Sequence, residues 1–81
     1  MKTIVVYKFR LGDVSDLSEY ISGEVIRWTD NEEAGKWINQ RKKSELVAKV
    51  SNNGVEYWGF EVVIEAKLND DDAGYYVLRY L

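Results

Sequence analysis

The sequence predicts an α+β domain: an antiparallel sheet of about five strands with one main helix packed on one face, in the order β-β-α-β-β-β. Three observations predict it. Apolar residues alternate from Thr3 to Leu11, a charge-complemented helical pattern surrounds Trp37, and an unbroken alternation runs from Trp58 to Leu68. Period-two alternation reads as strand and three-to-four spacing as helix. The chain of 81 residues fits one domain, 1–81.

Each element follows from its residues. In the first strand Val5, Tyr7, Phe9 and Leu11 line one face, while Ile4 and Val6 line the other until Lys8 and Arg10 take over. A strand apolar on both faces is expected inside a sheet. Residues 12–23 admit two readings. One is a short helical turn over 15–22, capped by Ser15 and closed by Gly23; the other is an irregular strand kinked at Gly23. Glu24 to Trp28 reads as a second strand with Ile26 and Trp28 on one face. Asp30 and Glu33 then have capping-box spacing, and Ala34, Trp37, Ile38 and Arg41 follow at helical intervals. Acids at the start and Arg41, Lys42 and Lys43 at the end complement the helix dipole, so the helix is placed from Asn31 to Lys43.

The remainder reads as a three-stranded meander. Burial selects a three-residue loop at Asn52-Asn53-Gly54 that opposes Leu46 to Phe60 and Ala48 to Trp58, because a one-residue slip would send the two apolar sets to opposite faces. A turn at Asp70-Asp71-Asp72-Ala73-Gly74 leads to a last strand, Tyr75 to Tyr80. Trp37 and Ile38 are expected to pack on Trp28, Trp58 and Phe60, so Trp37→Ala is expected to cost roughly 3–5 kcal/mol if that ring is fully buried.

Composition narrows the chemistry. The chain is 46% hydrophobic and 31% charged, which separates it from disordered sequences. It holds no histidine, cysteine or proline, but three tryptophans and six tyrosines. Without histidine the usual acid/base at neutral pH is missing, and without cysteine neither a thiolate nucleophile nor a thiolate metal site is available. No Ser-x-x-Lys occurs to activate a serine. Glu61 and Glu65 share a strand face but lie roughly 13 Å apart along it, too far for glycosidase carboxylates. Counting from Asp70, the twelfth position of a calcium loop falls on Leu81, so that signature fails. No phosphate-cradling glycine loop occurs, and no cofactor is expected. The net charge of −3 and the pI near 4.9 weigh against general nucleic-acid binding. No stretch is long enough to span a bilayer, and the chain reads as cytoplasmic.

Candidate contact residues are therefore on the surface. Tyr57 and Tyr75, beside the dip at Gly59, resemble interface anchors, and Asp70, Asp71, Asp72, Glu61 and Glu65 suit a basic partner surface. Lys8 and Arg10 are expected to pair with the two glutamates across strands. Arg41, Lys42, Lys43 and Lys49 form the one basic cluster, which a single-stranded nucleic acid would need.

The segment from Val25 to Ile38, with its acidic cap at Asp30 and a small residue three before Trp37, resembles a unit of many small phage-encoded proteins, some anti-CRISPR proteins among them. That resemblance covers about a sixth of the chain and implies a phage or mobile-element protein that acts by binding. The expected function is a non-catalytic protein-binding domain, an inhibitor of a host enzyme or nuclease. The alternatives are a single-stranded nucleic-acid accessory protein using Arg41–Lys43 and Lys49, and a homodimer that pairs an edge strand.

Overall fold

The computed structural model describes residues 1–12, 15–51 and 59–81. Its elements are β1 (Lys2–Leu11), α1 (Leu17–Asn31), α2 (Glu33–Arg41), β2 (Val47–Ser51), β3 (Phe60–Leu68) and α3 (Asp70–Tyr80). The strands form one antiparallel sheet in the order β1-β3-β2, and the helices all lie on one of its faces. The α+β class holds. Five strands with one main helix do not: the described chain has three strands and three helices.

Both losses come from strands that are helices. Asp16 caps α1, its carboxylate accepting from the Glu19 N–H at 3.1 Å. Leu17, Ile21, Val25 and Trp28 then form one helical stripe. Gly23 does not stop it, because a helix-interior glycine costs only about 1 kcal/mol and the stripe continues beyond it. The expected strand Glu24–Trp28 is thus the second half of α1. Ile26 and Trp28, expected on one face, point apart: Ile26 is 58% exposed and Trp28 2%. At the other end, Asn69 caps α3 by accepting from the Asp72 N–H at 2.8 Å. Asp70, Asp71 and Asp72 occupy the first turn, where the dipole favours them, so the expected turn and last strand are a helix. Its buried stripe is Ala73 and Tyr76, with Tyr80 packed beside it.

The expected capping box does not form. Asp30 lies inside α1, and Glu32, in extended conformation, separates α1 from α2 without a side-chain cap. The corner is held by main chain: Glu32 N–H donates to the Trp28 carbonyl at 3.1 Å and Lys36 N–H to the Glu32 carbonyl at 2.9 Å. Gly35 makes the corner possible. A Cβ there would lie 2.5 Å from the Trp28 carbonyl carbon and 2.9 Å from Thr29 Cα. α2 ends at Arg41, two residues short of the expected Lys43.

β1 is an edge strand, not the central strand expected from its two apolar faces. The reason is a register shift between Val5 and Tyr7. Ile4 faces the helices before it; Tyr7, Phe9 and Leu11 face them after it. Val6 itself turns inward to 3% exposure. Its carbonyl accepts the Tyr76 hydroxyl at 2.6 Å in the interior. One bulge therefore lets a strand with apolar residues of both parities bury most of them on one side.

β3 is central and its even residues Val62, Ile64, Ala66 and Leu68 are buried. Ala48 opposes Ile64 and Val50 opposes Val62, so the expected parity of β2 holds but its register does not: Ala48 was expected opposite Trp58. Trp58 and the Asn52-Asn53-Gly54 turn lie outside the described residues. The deepest large side chains are Trp28, Tyr76, Ile38, Ile64, Leu68 and Val62. Trp37, expected at the centre, is only half-buried at the α2–α3 seam, so the central indole is Trp28.

Two outcomes are expected. Gly35→Ala should lower the unfolding free energy by about 1–3 kcal/mol through overpacking at the corner, read as a lower denaturant midpoint. Tyr76→Phe should cost about 1–3 kcal/mol by leaving the Val6 carbonyl unpaired. Burial raises the Tyr76 hydroxyl from its ordinary 10.0 to about 12. The folded protein then holds that proton more tightly than the unfolded chain, so stability should fall as pH rises from 10.0 toward 12, and less steeply in Tyr76→Phe.

Candidate functional site

The helix seam gathers the aromatic residues. α2 presents Trp37 and α3 presents Tyr75, Tyr76 and Tyr80, spaced so that all three meet one indole. Trp37 stacks on Tyr75 with ring centroids 5.2 Å apart and an interplanar angle of 24°. Its contacts with Tyr76 and Tyr80 are tilted, at 5.9 and 6.2 Å. The Arg41 guanidinium sits 4.7 Å from the Trp37 ring and its Nε lies 3.9 Å from an Asp72 carboxylate oxygen. Trp37, Arg41, Asp71, Asp72 and Tyr75 together line a shallow depression of about 460 Å³. Tyr75 remains 49% exposed. Asp71 makes no ion pair among the described residues.

Of the residues singled out in the sequence, three thus converge: Tyr75, Asp71 and Asp72. Asp70 stands apart, 3.6 Å from the N-terminal amine. Glu61 and Glu65 lie on the sheet face away from the helices, Glu61 with Arg10 at 3.9 Å and Glu65 with Lys49 at 3.3 Å. The expected cross-strand pairing holds for Arg10. Tyr57 lies outside the described residues. Trp37 and Arg41 belong to the depression, but Trp37 was read as core and Arg41 as dipole complement and as part of the basic cluster; the signal was their i, i+4 spacing, which places a guanidinium over an indole.

The basic cluster is largely occupied. Arg41 is turned to Asp72, Lys42 to Glu45 at 3.9 Å and Lys49 to Glu65. The three acids Asp70–Asp72 project around successive positions of a helical turn, and no group of three or more acidic side chains able to hold a metal ion occurs among the described residues. Among those residues, too, no helix is long and apolar enough to cross a membrane.

A second cluster joins β1 to the α1–α2 corner. Tyr7 stacks on Trp28 at 4.7 Å and 6°. Its hydroxyl donates to Glu24 at 2.6 Å and accepts from Arg27 at 3.1 Å. Arg27 grips Glu24 through two nitrogens, at 2.9 and 2.7 Å, and reaches Glu32 at 2.9 Å. The Arg27 hydrogen bonds hold the Glu24 carboxyl down at about 2 against an ordinary 4.5, while Glu24 and Glu32 raise the guanidinium. Burial and the neighbouring Glu24 raise the Tyr7 phenol. The Tyr7–Glu24 bond ties β1 to α1 and the Arg27–Glu32 contact ties α1 to the corner, while the Arg27–Glu24 pair lies within α1.

No known protein family matches the chain, and neither a curated protein nor a solved structure matches it.

Because Glu24 is held below its ordinary value, its contribution to stability should be present above pH 4.5 and lost as pH falls from there toward 2. Glu24→Gln should flatten the dependence of the thermal midpoint on pH over that interval, measured by circular dichroism.

Proposed function

We propose that this chain is a non-catalytic protein-binding domain whose anchor is the Trp37–Tyr75 ridge between α2 and α3. The observation that carries the reading is the half-exposed Tyr75 stacked on Trp37 under Arg41, beside Asp71, which makes no ion pair among the described residues. Trp, Tyr and Arg are the residues that most often dominate binding energy, and they do so as rigid, packed anchors. Tyr75 is held by its stack, so it loses little freedom on binding. Asp70 and Asp71 at the same helix end would speed encounter with a basic surface.

The absence of histidine and cysteine supports a binding role over catalysis. So does the use of the shifted groups Glu24, Tyr7 and Tyr76 in bonds between structural elements. Inhibition of a host enzyme or nuclease by blockade is the specific form of this reading. The nucleic-acid reading is weakened because Arg41, Lys42 and Lys49 already face carboxylates.

The test is affinity capture from a nuclease-treated lysate with three baits: the native chain, Tyr75→Ala and Asp71→Lys. A protein retained by the native chain should fall about tenfold or more with Tyr75→Ala and also drop with Asp71→Lys. Equal retention by all three correctly folded baits would overturn the assignment.

A further inference from the structure

The sheet has an edge with features the ridge lacks. Among the described residues no strand pairs with the outer side of β1, which is ten residues long against five for β2; at Val6 the carbonyl is taken by Tyr76. A cleft of about 570 Å³ runs beside it, within the usual range of ligand pockets. Four consecutive β1 residues, Val5, Val6, Tyr7 and Lys8, line this cleft. Val5 and Lys8 belong to the open face of the sheet and Tyr7 to the helix face, so the cleft follows the strand's edge rather than either surface. Its far walls are Trp28 and Tyr80 with their neighbours. The hollow is thus aromatic on the helix side and bounded by consecutive β1 residues on the strand side.

Charge selects what fits. β1 carries Lys2, Lys8 and Arg10 and no acid. Lys8 and Arg10 are two positions apart on the open face, the spacing of like-facing side chains in an adjoining strand. Lys8 makes no ion pair among the described residues, and Arg10 lies 3.9 Å from Glu61. Glu32, the acid at the cleft, shares Arg27 with Glu24. Lys8 is the rim charge without a counter-ion among the described residues. The same charges oppose a second copy: β1 against β1 would set cations beside cations. β2 is the poorer edge, since Lys49 is turned to Glu65 and the groove near it touches only residues of one sheet face, Ala48 and Ile64.

We propose that the outer edge of β1 docks an extended partner segment in which acidic residues alternate with apolar ones. The segment adds a strand by main-chain hydrogen bonds, its apolar side chains enter the cleft by Trp28 and Tyr80, and its acids meet Lys8 and Arg10. Strand addition takes affinity from the backbone and specificity from alternate side chains. The cleft shares no lining residue with the ridge depression, although its Tyr76 and Tyr80 touch Trp37.

The experiment titrates the isotope-labelled full chain with the blocked peptide Glu-Val-Glu-Phe-Glu-Val-Glu, followed by heteronuclear NMR at low salt. Expected are slowed exchange of β1 amides and shifts of the Trp28 indole and Tyr80 ring. Lys8→Glu, an exposed change, should weaken binding about threefold to tenfold. Tyr75→Ala should leave it unchanged, so that failure here and failure of the ridge are told apart. N-methylation of alternate peptide amides should abolish it, with no change to the protein. Equal binding of the lysine counterpart, shifts confined to β2 or to Trp37, self-association through β1 on its own, or no binding at millimolar peptide would each overturn the proposal.

Discussion

The hydrogen bond from the Tyr76 hydroxyl to the Val6 carbonyl is the contact on which this architecture turns. A bulge takes one carbonyl out of the ladder, and a buried carbonyl without a partner is costly. Tyr76 supplies the partner from α3, the last element of the chain. The bond joins the first strand to the final helix, so docking of α3 satisfies the bulged carbonyl. The bulge in turn aims Tyr7 at Trp28 and at the Glu24–Arg27 pair, which fixes α1. Through the corner at Glu32, α1 sets the direction of α2 and hence the meeting of Trp37 with α3. Sheet, corner and seam are thus linked in sequence.

The face of the sheet away from the helices shows a different economy. Glu61 and Glu65 run down the central strand, with Arg10 on one side and Lys49 on the other. Each pair is partly exposed and individually weak. Their arrangement keeps this sheet face polar.

Strands with sustained alternation were legible: β1 and β3 fall where the sequence places them, and the parity of β2 against β3 follows from burial alone. The registers and helices were harder. Gly23 reads as a stop because it is a glycine, yet the stripe Leu17, Ile21, Val25, Trp28 outweighs it. Residues 75–80 read as strand because tyrosine and valine favour strands. Asn69 and the acids after it, together with the spacing of Ala73, Tyr76 and Tyr80, decide for helix. Asp30 and Glu33 have capping spacing, but the chain turns two residues later, where Gly35 allows close approach to Trp28. Such a corner depends on tertiary contact, which no local pattern contains. At the ridge, the sequence offered Tyr75, Asp71 and Asp72 as separate hints; their meeting with Trp37 and Arg41 needed α3 to be a helix.

The Glu24–Arg27–Tyr7 cluster and buried Tyr76 push acid and phenol groups in opposite directions, one below the ordinary carboxylate range and the others above the ordinary phenol range. With no histidine between them, the side chains that hold the fold are electrostatically mute across mildly acidic and mildly alkaline media. The imidazole that most often switches charge between about pH 5 and 8 is missing from the sequence.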